Sequence, residues 1–372
     1  MRTRAAVIRE AGKPWELATL ELDEPRRREV RIRFAASGMC HSDEHLRTGD
    51  SVPRLPMVGG HEGSGVVEAV GPGVTRVAAG DHVVCSFIPV CGVCRYCSTG
   101  RQNLCDQGAE MMTGILPEGG FRFHDDGGQD LGGFAMLGTF AQRAVVSEMS
   151  CVTIDDDLPF DIAALVGCGV PTGWGTAVYA ARVAPGDTVV IFGAGGVGSN
   201  AIQGARYAGA KNIVVVDPVA FKREMAVAFG ATHVFATADD AQQAVTGLTR
   251  GQLADHAICT VGLLSAEVVA QAAAIVGKGC QVTVTSVGRS GQENIRLQAN
   301  GGVVGWQRRV QGHVFGMSNP LYDIPRLLGL YRAGRLKLSE LITRRYPLDD
   351  INQCWQDLED GKIIRGVILH DE

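Results

Sequence analysis

Residues 187–218, DTVVIFGAGGVGSNAIQGARYAGAKNIVVVDP, restrict the possible folds more than any other stretch of the chain. An unbroken apolar run meets a glycine turn, a helical segment follows, and a second apolar run ends on Asp217. Strands written as continuous Val/Ile runs are buried on both faces, as in a parallel sheet covered by helices. The texture continues downstream as helix FKREMAVAFG, strand THVFA, helix AQQAVTGLTR, strand HAICTVG, helix SAEVVAQAAAIVG and strand CQVTVTSVG. This alternation predicts an α/β doubly wound sheet. The turn reads G-x-G-x-x-G, with Gly193, Gly195 and Gly198 in the motif positions and Gly196 and Val197 between the last two. Gly193 permits the turn, Gly195 lets backbone approach a pyrophosphate, and Gly198 allows close helix packing. The helix start offers free N–H donors and a positive dipole end to phosphate. Asp217 lies 19 residues past Gly198, where a carboxylate accepts from the adenosine ribose hydroxyls and repels a 2′-phosphate. The expected cofactor is therefore NAD, with Lys222 in reach of the same ribose.

The part before this run has another texture. EVRIRFAAS, GSGVVEAVG and GDHVVCSF are short runs of strand formers bounded by turn residues, so a β-rich domain is expected. A chain of 372 residues is too long for one ordinary core and suits two domains. The net charge of -5 supplies no basic field for nucleic acid. No apolar run is long enough to cross a membrane, and MRTRAAVIREAGKPW holds no apolar signal core, so a cytoplasmic protein is expected. Eleven cysteines, an odd number in a long chain, argue for metal ligation in a reducing compartment over a disulfide scaffold.

Four of them, Cys91, Cys94, Cys97 and Cys105, read C-x2-C-x2-C-x7-C. Thiolates at these gaps in a loop converge on one tetrahedral ion, and four of them leave no open position, so a structural zinc is expected. An iron–sulfur reading wants a C-x3-C-P ending, which this run lacks. Three further candidates are scattered: Cys40 in GMCHSDEH, His61 in GGHEGSG and Cys168 in VGCGVPTGWG. Two cysteines and one histidine with an open fourth position form a known catalytic zinc set. Spacing alone does not show that these three meet, and a single buried cysteine is usually a small core residue.

GHEGSGVVEAVGPGV resembles the zinc signature of the medium-chain alcohol dehydrogenases, with Gly60, His61, Glu62, Gly65 and Gly71 in place. Cys40, the four-cysteine lobe, Cys168, GAGGVG and Asp217 follow in that family's order, so the likeness covers essentially the whole chain. The resemblance implies a GroES-like catalytic domain at 1–169 and 315–372, a Rossmann domain at 170–314 and an active site in the cleft between them. It implies two zinc ions per subunit, the catalytic one on Cys40, His61 and Cys168. Asp43 would orient His61, Glu62 would sit beside the metal, and Ser42 and His45 match the family's proton relay. Thr172 matches a nicotinamide contact, Phe87 a pocket residue and Arg365 a pyrophosphate contact. His41 stands where the family often has arginine, which bears on cofactor affinity and release. The implied reaction is reversible hydride transfer between a small alcohol and NAD, giving aldehyde or ketone, in a homodimer or homotetramer.

Within that family, Gly108–Val146 is a long glycine-rich insertion that looks like the one in the actinobacterial nitrosodimethylaniline-dependent, mycofactocin-associated alcohol dehydrogenases. The tail AGRLKLSELITRRYPLDDINQ looks similar too. That likeness implies bound, slowly exchanging NAD, an external redox acceptor, and a loop that covers the cleft as a lid. An ordinary substrate loop with freely exchanging NAD is the plainer reading. The rivals are a glutathione-dependent formaldehyde dehydrogenase, which shares the motifs, and a non-catalytic NAD-binding sensor. Retention of Cys40, His61 and Ser42 speaks against the sensor.

Overall fold

The expected β-rich part and the expected strand–helix alternation both appear in the computed structural model, which describes residues 1–292, 295 and 297–371. The chain divides into two compact units, Met1–Cys168 with Asn319–Glu372, and Gly169–Ser318.

The first unit begins with β1 (Arg2–Ile8), β2 (Glu16–Leu22), β3 (Glu29–Gly38), α1 (His41–Thr48), β4 (Met57–Val58), β5 (Gly63–Val70) and β6 (His82–Cys85). There follow α2 (Arg95–Ser98), β7 (Phe123–His124), β8 (Asp130–Gly133), β9 (Arg143–Ser147), β10 (Cys151–Thr153) and α3 (Phe160–Ala164). Strands β1, β2, β7, β8 and β4 close into a barrel, while β10, β6, β5 and β3 form a second sheet that β9 joins through β3. Val30, Ile32 and Phe34 alternate along β3 and send their side chains into the core with Val7, Leu20, Leu131 and Met136. This is the period-two burial of a half-covered strand.

One expectation is refined. Residues 108–146 are not one free loop: they supply β7 and β8 to the closed barrel, and Leu116, Phe123, Leu131, Met136 and Leu137 lie in its core. The glycines serve packing. Gly114 has φ +72, and a Cβ on it would stand 2.6 Å from the Cα of Gly132, so two backbones touch where side chains would separate them.

The second unit opens with α4 (Gly169–Gly175) and continues as β11 (Thr188–Phe192), α5 (Gly196–Ala208), β12 (Asn212–Val216), α6 (Ala220–Phe229), β13 (His233–Phe235) and α7 (Ala238–Leu248). It is completed by β14 (Ala254–Cys259), α8 (Ala266–Ile275), β15 (Val276–Val284) and β16 (Arg309–Gly312). The sheet order is β13-β12-β11-β14-β15-β16 and every pairing is parallel. Order reverses at β11, whose neighbours are β12 and β14, so the glycine turn sits at a topological switch point, where such sheets bind ligands.

The chain then returns to the first unit as α9 (Pro320–Arg332), β17 (Ile342–Pro347), α10 (Ile351–Glu359) and β18 (Arg365–Leu369). Strand β18 lies antiparallel to β3, with Val367 opposite Gly38 and Leu369 opposite Ala36. The last strand of the protein therefore borders the strand that leads to Cys40.

Candidate metal and dinucleotide sites

In the first unit, sheet pairing brings distant ligand candidates together. Cys40 follows the end of β3 and is the N-cap of α1, with extended backbone at φ -130 and ψ 148. His61 and Glu62 precede β5, which pairs with β3 so that Gly63 faces Ser37. Cys168 follows α3 and a short turn at Leu165–Gly167. One donor atom from each of Cys40, His61, Glu62 and Cys168 falls within 4.8 Å of all the others, and all four atoms are buried.

Asp43 sets the geometry of this cluster. Its Oδ1 accepts from the backbone N–H of Gly60 at 2.9 Å and lies 3.1 Å from His61 Nδ1. A proton on Nδ1 leaves the lone pair on Nε2, and Nε2 is buried with no hydrogen-bond partner among the described residues. A carboxylate behind a histidine is how protein-bound metals have their imidazole ligands oriented. The electrostatics show that the cluster's negative groups favour positive charge at His61. Burial alone would push His61 down, but the charges of Asp43 and Cys40 outweigh it and raise it well above the ordinary imidazole value. Cys40 is held well below the usual thiol range, chiefly by the neighbouring Cys168 thiol and then by His61. Cys168 is pushed up by Cys40 and by burial. One low thiol beside a buried, unpartnered Nε2, with a second sulfur adjacent and a cluster that favours positive charge, suits a borderline-soft divalent cation.

Two findings concern Arg365 and Phe87. Arg365, expected at a pyrophosphate, is buried and its Nη2 pairs with Glu62 Oε2. Burial pushes the Glu62 carboxyl up to about 7 even though Arg365 pulls the other way. The pair fills the space over Gly38, where a Cβ would stand 2.2 Å from Glu62 Oε2. Nothing local in the sequence marks this contact, because its partners are 303 residues apart. Second, Phe87 is one part of a larger apolar wall. Its ring meets His61 edge-on at 5.8 Å, and Phe134 does so at 5.0 Å. Phe134 and Ala135 pack with Leu46 and Met57, and Leu55, Phe87, Met111 and Met112 lie against them partly exposed.

On α1, Ser42 and His45 share a helix face at i and i+3, and Ser42 Oγ lies 3.7 Å from Cys40 Sγ. His41 is the first residue of the same helix and half-buried.

The four-cysteine lobe surrounds α2. One sulfur from each of Cys91, Cys94, Cys97 and Cys105 lies within 4.8 Å of the rest. Backbone N–H groups point at sulfurs: Cys91 N at Cys105 Sγ (3.4 Å), Cys94 N at Cys91 Sγ (3.3 Å) and Cys97 N at Cys94 Sγ (3.4 Å). All eleven cysteines are free thiols. Four sulfurs this close, with amide donors behind three of them, could hold one metal ion.

In the second unit the glycine turn has the geometry that a dinucleotide needs. Gly193 has φ +94. A Cβ on Gly195 would meet nothing within 4 Å, whereas one on Gly198 would collide with Gly193 O at 2.0 Å. The first leaves room for a ligand and the second allows α5 to seat on the strand end. Thr172 on α4 holds a buried hydroxyl without a partner among the described residues, a polar atom suited to an amide or ribose group. Asp217 braces the turn. Its Oδ2 accepts from Ala194 N in the turn at 2.8 Å, and its Oδ1 from Val219 N at 2.9 Å. Lys222 is half-buried on α6. Its neighbour Arg223, which the sequence reading passed over, donates to the carbonyls of Asp217 and Pro218.

The chain was compared with known proteins. A family model described as the alcohol dehydrogenase GroES-like domain matches residues 26–156, and one described as zinc-binding dehydrogenase matches residues 196–331. An NDMA-dependent alcohol dehydrogenase of Amycolatopsis methanolica is 57% identical over 371 residues, covering 100% of this chain and 99% of that protein. Alcohol dehydrogenase B of Mycobacterium tuberculosis is 44% identical over 374 residues, with 100% and 99% covered. Among solved structures, benzyl alcohol dehydrogenase from Acinetobacter calcoaceticus superposes with a TM-score of 0.90 at 31% identity, over 100% of both chains.

Proposed function

The chain belongs to the zinc-containing medium-chain alcohol dehydrogenase family, and from that premise we propose how its own residues carry out alcohol oxidation, and on which alcohols. Its cofactors are zinc and NAD. The convergence of Cys40, His61 and Cys168 beside an unpartnered Nε2 carries the reading, since among the described residues it is the donor cluster that is not made of four cysteines. Zinc bound there supplies Lewis acidity toward an alcohol hydroxyl, and NAD supplies the hydride acceptor.

The remaining work falls to the chain. Asp43 keeps His61 in one tautomer. Ser42 Oγ takes the hydroxyl proton, and His45 carries it onward. Arg365 pairs with Glu62 and offsets its negative charge beside the two sulfurs. The closed cysteine lobe holds the second zinc for structure. Gly195 and the α5 N-terminus receive the pyrophosphate, Thr172 the nicotinamide end, and Asp217 with Lys222 the adenosine ribose. His41 and Arg365 bear on the same cofactor through α1 and the Glu62 pair.

Phe87, Phe134, Met111 and Met112 make the wall beside His61 apolar and adaptable, so we assign apolar primary alcohols, aliphatic or benzylic, as substrates. The 57% identity to an NDMA-dependent enzyme supports NAD that stays bound and is reoxidised in place by an external organic acceptor. The reading includes a cytoplasmic homodimer or homotetramer. No single helix among the described residues is long and apolar enough to cross a membrane.

Purified protein should contain NAD(H) and two zinc ions per subunit. It should turn over benzyl alcohol and 1-butanol slowly with free NAD and rapidly with nitrosodimethylaniline. Cofactor-free protein with fast turnover on added NAD would defeat the bound-cofactor reading. Marked preference for S-hydroxymethylglutathione would replace the alcohol assignment with the glutathione-dependent one.

A further inference from the structure

We infer that Asp50 is a positioning residue for His45, so that protons leave the site through a buried histidine–aspartate pair. The inference rests on the reading above that His45 carries the alcohol's proton.

Helix α1 stops at Thr48, and Gly49 reverses the chain in the left-handed region at φ 82. The reversal brings Asp50 back onto the helix, where its Oδ2 lies 3.4 Å from His45 Nδ1. The same oxygen accepts from Thr48 Oγ1 at 2.9 Å, and Ser51 N donates to His45 O at 2.9 Å, so helix end and turn are tied to each other. The two side chains are 6% and 11% exposed. A carboxylate that deep needs partners, and the hydroxyl and the imidazole are two that it has.

The chemistry follows from the pairing. Nδ1–H directed at a carboxylate leaves Nε2 as the atom that accepts a proton. The imidazolium formed on acceptance then faces an opposite charge, which favours it. The nearest other charges on α1 are committed elsewhere: Arg47 pairs with Glu44 through Nε at 2.9 Å and with Glu359 of α10 at 2.9 Å. A separation of 3.4 Å is long for a charge-assisted bond, as such contacts commonly are before substrate binds. The segment from Cys40 to Asp50 thus holds, in chain order, a metal ligand, the hydroxyl beside it, the proton carrier and the carboxylate behind that carrier.

A purely structural Asp50 would also hold the turn through Thr48, so the test must separate the two roles. The pre-steady-state rate of NADH formation, KM for the alcohol and zinc content are measured on the holoenzyme for the parent, D50N, H45Q and the double variant. D50N should slow NADH formation about tenfold, within the range of general acid–base effects, with KM and zinc unchanged. In the H45Q background D50N should cause no further loss, because its effect passes through the absent imidazole. D50E, which restores the charge, should recover part of the rate. An equal loss from D50N in both backgrounds, or an unchanged rate in D50N, overturns the inference. Full activity in H45Q would instead remove the relay reading itself, and this inference with it.

Discussion

At the scale of the residue, Asp217 shows how one side chain serves two ends. Its carboxylate holds the glycine turn through Ala194 N and starts the next segment through Val219 N, while its remaining lone pairs are available to a ribose. Asp217→Ala should therefore do more than relax cofactor choice. NAD affinity should fall at least tenfold, the NADP-to-NAD preference should rise, and stability should drop by about 1–3 kcal/mol from one buried and one partly buried amide left unsatisfied. Cofactor titration and denaturant melts check both arms. A changed preference at unchanged stability would mean that the turn does not depend on the carboxylate. Asp217 was legible because its distance from the glycines is set by one helix and one strand. Arg223, six residues past Asp217 and matching no motif position, was not. Glu62 and Arg365 were each found by family likeness, but their contact was not, since it exists only once β18 lies beside β3.

Elements tell a similar story at larger size. The metal lobe is local: four cysteines within 15 residues need only a short loop to converge, so their spacing announced them. Cys97→Ser should lower zinc from two ions to one per subunit and reduce the melting temperature, because site-bound zinc contributes folding free energy. Metal analysis that still finds two ions would count against the closed set. The strands within Gly108 to Val146 were not legible, because glycine content reports backbone freedom and says nothing of the partner strand. With β7 and β8 inside a closed barrel, Gly114→Ala should destabilise the protein by about 2 kcal/mol or more, through a positive φ and a backbone collision. A mobile loop would absorb that methyl, so an unchanged denaturation midpoint would count against the barrel packing of this segment.

For the whole molecule, acid sensitivity is shared by both units. His370 in the first unit and His313 in the second are each pushed down to about 4 by burial. Their folded values lie below the unfolded one of about 6.5, so the unfolded chain binds more protons between these values. The contribution is fully present above pH 6.5 or so and is lost as pH falls toward 4. The slope of melting temperature against pH should be shallower across that window in H370Q and in H313Q than in the parent. Parallel slopes would mean that neither imidazole stays neutral in the folded state. What the sequence alone determined is what short spacing can encode: the cysteine lobe, the glycine turn with its aspartate, and the alternation that makes a parallel sheet. Periodicity and loop length carry that information within a few tens of residues. Tertiary structure decided the rest: the meeting of Cys40, His61 and Cys168, the Glu62–Arg365 pair, the apolar wall around His61 and the barrel role of 108–146. Each of these depends on which strand lies beside which, and strand pairing is a long-range choice made by burial of the whole core, not by any single segment.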